Sequence, residues 1–159
     1  NLTESLRIRG ADMKLSTKGR YSVTALYELA QHYGKGIVPL KTIALSQGLS
    51  ENYLEQLMGT LRKAGLVTST RGAQGGYELA RAPEQITICD IITAAKGPIA
   101  LVDCLLADEK SQHPCARAGE CVTRGIWEKV CDSINEVLGS ITLADLCRDG
   151  RHGNVGCGR

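Results

Sequence analysis

The link between two amphipathic segments in the front half of the chain is only three residues long, Gly48-Leu49-Ser50. The segment before it starts at Pro39, a residue suited to the first turn of a helix. The segment after it is capped by Ser50, ends at Gly65 and carries one apolar helix face, made of Leu54, Leu57, Met58 and Leu61. Two helices joined by a tight glycine-containing turn form a helix-turn-helix, and the sequence therefore predicts this motif.

Segments on either side extend the predicted motif. An amphipathic helix over about residues 18–33 precedes it. Behind it, residues 66–70, which are rich in β-branched side chains, predict a strand, residues 71–76 a glycine-rich turn, and residues 77–80 the returning strand. A hairpin in this position is the wing of a winged helix.

The rear half predicts three further helices. Thr87-Ile-Cys-Asp90 is a capping signature for a helix that ends at Lys96. A long helix over about residues 122–138 carries an apolar stripe of Ile126, Val130, Ile134, Val137 and Ile141. Thr142-Leu-Ala-Asp145 is a second capping signature and opens a short final helix. The predicted fold class is mainly α with a small β wing: a winged helix-turn-helix plus a long C-terminal dimerisation helix.

These elements divide the chain into five parts. We interpret residues 1–12 as an artificial leader, because they precede Met13 and share no pattern with the rest. The winged helix-turn-helix is expected over residues 13–97 and a cysteine-bearing loop over residues 98–121. The dimerisation helix and the short final helix follow over residues 122–147. The polar, glycine-rich residues 148–159 are expected to form a flexible tail.

Composition narrows the class of protein. Seven cysteines in a chain without a secretory signal favour free or metal-bound thiols in a reducing cytoplasm. No apolar run approaches the ~20 residues that a membrane span needs. Residues 14–81 hold nine Lys and Arg against four Glu, a net charge of +5, while residues 82–159 hold eight against eleven acids, a net charge of −3. A basic front half suits a protein that presents this half to a polyanion such as DNA.

The third helix predicts the groups that read DNA. Glu55, Gln56 and Asn52 lie off its apolar stripe and have side chains that can pair with base edges. Arg71 stands at the base of the wing, where an arginine can enter the minor groove. The remaining candidate contacts, to DNA phosphates and sugars or to base edges, are Tyr53, Arg62, Lys18 and Arg20.

Three cysteines in one polar loop predict a metal site. Cys104 and Cys115 are separated by ten residues, and Cys115 and Cys121 by five. The chain has no CxxC pair, which argues against a zinc ribbon and against a thioredoxin-type redox pair. Thiolates hold iron–sulfur clusters and zinc alike, so the spacing leaves both open. Cys89 and Cys131 lie within predicted helices and are expected to be packing residues.

Residues 13–21, 49–57, 61–67 and 71–77 resemble a bacterial repressor family. The family is typified by the iron–sulfur cluster regulator IscR, the nitric-oxide sensor NsrR, the iron regulator RirA and the cysteine-metabolism regulator CymR. The resemblance covers Met13 to about Leu146. It implies a cytoplasmic winged-helix homodimer on the double-stranded DNA of a pseudo-palindromic operator, with the long helix crossing to the partner subunit.

The resemblance also assigns residues. The family's base-reading Glu and Gln fall on Glu55 and Gln56, and its wing arginine on Arg71. Cluster-binding members carry three cysteines in the loop, which favours an iron–sulfur cluster, [2Fe–2S] before [4Fe–4S], on the three loop cysteines. This chain departs from IscR in its longer first gap and in Arg124, which stands where IscR has a histidine ligand. The fourth ligand therefore stays open, with His113, His32, a carboxylate, solvent and the partner subunit as candidates.

Two other classes of function remain beside this prediction. Some members of the family lack the cluster, so the chain could instead be a cluster-free repressor controlled by a protein partner. An enzyme with a cysteine nucleophile would need a base paired to the thiol. The three scattered histidines and the lack of a local catalytic signature argue against an enzyme.

Overall fold

The structure is a computed structural model that describes residues 15–105 and 120–151. It confirms a mainly helical fold with a two-stranded antiparallel wing. The elements in chain order are α1 (Thr17–Gln31), α2 (Leu40–Gln47), α3 (Glu51–Lys63), β1 (Val67–Thr70), β2 (Gly76–Leu79), α4 (Ile88–Lys96), α5 (Arg124–Ser140) and α6 (Leu143–Arg151). Short 3₁₀ turns lie at Pro83–Gln85 and Asp103–Leu105.

Local chemistry sets the boundaries of the helix-turn-helix. The hydroxyl of Ser16 accepts a hydrogen bond from the Gly19 N–H at 3.1 Å and caps α1. Gly48 ends α2 in the left-handed region, at φ 63° and ψ 32°, a conformation that glycine adopts without steric cost. Ser50 then caps α3 by accepting from the Tyr53 N–H at 3.3 Å. The turn between α2 and α3 is therefore as tight as the sequence predicts.

The wing is fastened to the segment before α2. Val67 pairs with Leu79, and Thr70 with Gly76, at the two ends of the hairpin. Val38 and Tyr77 exchange two backbone hydrogen bonds of 2.9 Å each, so a third stretch of chain borders β2. A Cβ at Gly76 would lie well inside van der Waals contact with the Val38 carbonyl oxygen. Only glycine lets the backbones approach this closely.

One hydrophobic core joins α1, α2, α3 and α4, the wing and the start of α6. Its largest fully buried side chains are Leu26, Leu29, Ile43, Leu54, Leu57, Met58, Leu61, Leu66, Ile86, Ile91, Leu143 and Val67. The buried Ser22 donates its hydroxyl to the Lys18 carbonyl oxygen at 2.8 Å. The core places the outer face of α3 in solvent, beside the wing.

A short backbone joint ties α5 and α6 to the winged helix. The Ile88 N–H donates to the Ile141 carbonyl oxygen at 2.9 Å, and the Leu143 N–H donates to the Ile86 carbonyl oxygen at 3.0 Å. Capping boxes flank both sides: Thr87 with Asp90, and Thr142 with Asp145. Both predicted capping signatures are therefore confirmed, and they meet at one place.

Asp145 makes this joint sensitive to acid. Hydrogen bonds from the Thr142 backbone N–H (2.8 Å) and hydroxyl (2.7 Å), together with Arg148, lower the pKa of Asp145 to about 2. An unfolded aspartate titrates near pKa ~3.9, so the charged form contributes stability above that pH. This contribution is lost as pH falls from about 4 through 2.

We therefore expect Asp145→Asn to lower the free energy of unfolding at neutral pH, and this deficit to shrink as pH falls from about 4 to 2. Urea unfolding of both proteins at several pH values measures it. Thr142→Val removes the hydroxyl that donates to Asp145, and the loss of unfolding free energy that it causes should also shrink as pH falls from about 4 to 2. A deficit for Asp145→Asn that stays constant from neutral to acid pH would contradict the assignment.

The helices of the rear half differ from prediction at their ends. Helix α5 begins at Arg124, two residues later than expected, and Val122 is 91% exposed. Helix α6 continues to Arg151, so the first four residues of the expected flexible tail are helical. In this extension Arg148 pairs with Asp145, and Gly150 lies beside the Tyr27 hydroxyl, where a Cβ would clash.

Residues 1–14, 106–119 and 152–159, and with them the expected leader, Cys115, His113 and the end of the tail, lie outside the described residues. Of the helices in the described ranges, none has the length and apolar character to cross a bilayer.

Candidate nucleic-acid interface and cysteine site

The outer face of α3 carries most of the predicted base-reading residues. Asn52, Glu55 and Gln56 are exposed, while the opposite face, with Leu54 at 0% exposure, is buried in the core. Ser50 fixes the N-terminus of α3, the end from which a recognition helix reads base edges. The fold therefore exposes these three polar side chains to solvent, while the opposite face of α3 is packed in the core.

A groove of about 420 Å³ lies between α3 and the wing. It brings together three predicted residues, Glu55 and Arg62 from α3 and Arg71 from the start of the wing turn. Sequence reasoning missed Gly59, Ser69 and Thr70, which also line this groove. Gly59 does carry a signal, because a glycine off the apolar stripe of a helix leaves room on the outer face.

Arg62 also has a partner within the protein. Its Nη1 donates to the Ser69 hydroxyl of β1 at 2.9 Å. This hydrogen bond links the last turn of α3 to the wing. Arg62 therefore orients the wing against α3, a role that its position in the sequence does not reveal.

Tyr53 is half-buried, unlike its polar neighbours on α3. Its ring packs edge-on against Tyr21 of α1, with ring centroids 6.1 Å apart and an interplanar angle of 83°. This geometry is favourable for an aromatic pair and holds α3 against α1. Lys18 and Arg20 are exposed in the first turn of α1, outside the groove.

Two of the three loop cysteines lie in described parts of the chain. Cys104 lies in the 3₁₀ turn Asp103–Leu105, and Cys121 lies just before α5. The Thr123 hydroxyl lies 3.3 Å from the Cys121 sulfur. This hydroxyl, then the backbone N–H groups of Thr123 and Arg124, and last the Arg124 charge lower the pKa of Cys121 below its ordinary value. A thiolate, the form that binds metals, is favoured at this position.

Arg124 lies within electrostatic reach of both thiols. Its Nε donates to Glu128 Oε1 at 2.8 Å, and this pair is the main reason why the pKa of Arg124 is raised. The charges of Cys104 and Cys121 raise the pKa further. One guanidinium is therefore within electrostatic range of two cysteines that are 17 positions apart in the sequence.

Thiolates are the donors that soft metals and iron–sulfur clusters prefer, so the residue types at Cys104 and Cys121 suit such a group. Within residues 15–105 and 120–151, no group of three potential metal ligands is present. Cys115, the third predicted ligand, is outside these ranges. His32 has a partner in its own helix, since its Nδ1–H can donate to the Glu28 carbonyl oxygen at 2.9 Å.

Two other cysteines lie where α5 meets the rest of the fold. Cys131 is 6% exposed, and its sulfur accepts a hydrogen bond from the Leu101 N–H at 3.4 Å. The Cys89 thiol of α4 donates to Asn135 Oδ1 at 3.7 Å. Both act as packing residues, as predicted.

The apolar stripe of α5 is largely uncovered. Ile126 is 55% exposed, Val130 37% and Val137 57%, and a shallow apolar groove of about 450 Å³ runs along this face. Ile141, the last predicted member, lies beyond the helix and packs against the core. An apolar helix face of this length in solvent marks an interaction surface.

Comparisons with a family profile and with individual known proteins point to the same family of transcriptional regulators. The profile of the Rrf2 family, described as "Iron-dependent Transcriptional regulator", matches residues 15–149. The HTH-type transcriptional regulator CymR of Bacillus subtilis (strain 168) is 47% identical over 134 residues, which are 84% of this chain and 89% of CymR.

Two solved structures are similar along nearly their whole length. The structure of T. potens IscR has a TM-score of 0.72 at 49% identity and covers 92% of this chain and 95% of its own. The structure of CymR (YrzC), called the global cysteine regulator of B. subtilis, has a TM-score of 0.67 at 45% identity and covers 86% and 97%. The chain is thus similar both to a protein named IscR and to one named CymR.

Proposed function

This chain belongs to the Rrf2 family of transcriptional regulators, and from that premise we propose that it is a homodimeric DNA-binding repressor. It senses through an iron–sulfur cluster held by Cys104, Cys115 and Cys121. The observation that carries this proposal is that both loop cysteines in the described residues are close along the chain to contacts with α5. Cys121 directly precedes the helix, with the Thr123 hydroxyl 3.3 Å from its sulfur, and Cys104 lies three residues after Leu101, whose N–H donates to Cys131 of α5 at 3.4 Å.

DNA recognition rests on the outer face of α3 and on the wing. Glu55, Gln56 and Asn52 read base edges in the major groove, while Arg71 reaches into the minor groove. Lys18 and Arg20 contact phosphates on the flank. Arg62 and Tyr53 contribute both by contact and by holding α3 against the wing and α1.

The cysteines act on DNA binding through α5. A bound cluster supplies soft iron sites that tie thiolates together and that oxidants or iron loss remove. Cys104 and Cys121, when tied together, fix the loop at the N-terminus of α5. The joint holds the other end of α5 to the winged helix, so the state of the loop changes the angle between the two recognition helices. A tenfold change in operator affinity needs only about 1.4 kcal/mol of differential binding.

The test compares wild type with Cys115→Ala and with Cys89→Ala as the matched control. Each protein is purified without oxygen and analysed by absorption spectroscopy, by iron, zinc and sulfide content, and by binding to a duplex that the wild type selects from a random pool. We expect iron and sulfide in near-equal amounts in wild type and Cys89→Ala. Cys115→Ala should lose both and change its operator affinity.

Unchanged cofactor content and unchanged operator affinity in Cys115→Ala would overturn the proposal. Zinc without sulfide would make the loop a zinc or thiol switch. The similarity to CymR supports a second candidate, a cluster-free repressor controlled by a protein partner. A colourless, metal-free wild type that fails reconstitution would select this candidate.

A further inference from the structure

The cysteine-bearing segment starts and ends on the same helix. At its start, the Leu101 N–H donates to the Cys131 sulfur of α5. At its end, Cys121 accepts a backbone hydrogen bond from the Arg124 N–H at 3.2 Å, directly before α5. Helix α5 therefore carries both attachment points of the segment that holds the predicted ligands.

These attachment points share one face of α5. Arg124, Glu128, Cys131 and Asn135 follow each other at helical spacings of four, three and four residues. The uncovered apolar stripe, with Val130, lies on a different face. Cys131 is the one buried residue of α5, so the contact with the half-buried Leu101 is partly shielded from water. The face that meets the cysteine segment is thus separate from the face that is free for a partner.

The distance from Arg124 to Cys131 along α5 matches the reach of the segment from Leu101 to Cys104. Cys131 lies seven residues after Arg124, about 10 Å along the helix axis. Cys104 lies three residues after Leu101, and three residues span at most about 10 Å. A segment anchored at Cys131 can therefore just bring Cys104 to the level of Arg124, next to the point where Cys121 precedes α5.

We propose that Cys131 is a positioning residue of the cysteine site, not a ligand: its sulfur accepts the Leu101 N–H and thereby sets Cys104 beside Arg124 and Cys121. The proposal rests on the proposed function only for its consequence for metal binding. The anchoring itself concerns the chain alone and can be measured without any metal.

The test uses full-length protein in its metal-free form, with Cys131→Ala, Cys131→Ser and Cys89→Ala. Hydrogen exchange of the Leu101 amide, followed by NMR, reports the anchor directly. We expect about tenfold faster exchange in Cys131→Ala, the upper range for one lost hydrogen bond. Cys131→Ser keeps an acceptor oxygen and should retain most of the protection. Cys89→Ala removes a neighbouring thiol without touching Leu101 and should leave the exchange unchanged.

A second readout measures the position of Cys104. In a Cys115→Ser background, the short bifunctional reagent dibromobimane should cross-link Cys104 to Cys121 several-fold more slowly once Cys131→Ala is added, because the two thiols meet less often. Cys131→Ser should restore the rate. In the anaerobically purified proteins with Cys115 intact, Cys131→Ala should release iron to a chelator faster than wild type.

Unchanged Leu101 exchange in Cys131→Ala and Cys131→Ser would overturn the proposal. It would also fail if Cys131→Ala abolished metal content while exchange and cross-linking stayed at wild-type values, since Cys131 would then be a ligand. If Cys131→Ala does not fold, the role of Cys131 is decided by comparing Leu101 exchange and the cross-linking rate in Cys131→Ser with those in Cys89→Ala. A metal-free wild type would defeat the proposed function, whereas exchange and cross-linking would still decide the role of Cys131.

Discussion

Val130→Asp is expected to convert the protein to a monomer and to weaken its binding to a two-half-site operator at least about 100-fold, since linking two modules contributes 10²–10⁴ in avidity. Val130 lies in the middle of the uncovered apolar stripe of α5. A two-fold interface would bury this new carboxylate twice, and an unpaired buried charge costs several kcal/mol. Sedimentation and operator titration measure the two effects.

Asp132→Ala is the matched control for this change. Asp132 is exposed and lies about 200° around α5 from Val130, on the polar side. We expect it to alter neither the oligomeric state nor the operator affinity. A Val130→Asp protein that remains dimeric with wild-type affinity would show that the stripe faces something other than a second copy.

Leu54→Ala is expected to lower the free energy of unfolding by about 2–5 kcal/mol. Leu54 is 0% exposed and packs from the buried face of α3 into the core. The total stability of such a domain is about 5–15 kcal/mol, so the variant should be marginal at physiological temperature. Urea denaturation measures the loss, and a loss below about 1 kcal/mol would mean that the core repacks around the cavity.

Glu55→Ala, one residue further along the same helix, should give the opposite pattern. Glu55 is exposed, so stability should change by less than about 0.5 kcal/mol. Discrimination at one base position should fall by about 1–3 kcal/mol, the contribution of one good base contact. Binding to non-specific DNA should be unaffected. Loss of stability in Glu55→Ala would assign this residue to packing and not to recognition.

Most of the fold could be predicted from sequence patterns that involve only neighbouring residues. The tight turn around Gly48, the cap at Ser50 and the capping boxes at Thr87 and Thr142 each depend on residues within four positions of one another. Such contacts can be read from spacing, because the chain cannot avoid bringing these groups together. The end of α6, which extends beyond the prediction, instead lies beside a residue that is distant in sequence, with Gly150 next to the Tyr27 hydroxyl.

The candidate site was less predictable for the same reason. The residue types of α3 indicated its outer face, but not that Tyr53 packs on Tyr21 or that Arg62 bonds to Ser69. The electrostatic effect of both Cys104 and Cys121 on Arg124 spans 17 positions and depends on how the chain folds around α5. Spacing could single out these cysteines, but it could not predict the hydrogen bond from Leu101 to Cys131 that precedes Cys104.

The backbone joint between α5 and the winged helix relates the tilt of α5 to the position of the DNA-binding elements. Its two backbone hydrogen bonds couple the C-terminal end of α5 to the winged helix, so a change in the tilt of α5 is expected to move the winged helix as well. Helix α5 is about 25 Å long, and a tilt of five degrees displaces its far end by about 2 Å. That is more than half of the 3.4 Å step between base pairs. In the proposed dimer, the half-site spacing that binds best therefore depends on the angle at which the two α5 helices cross.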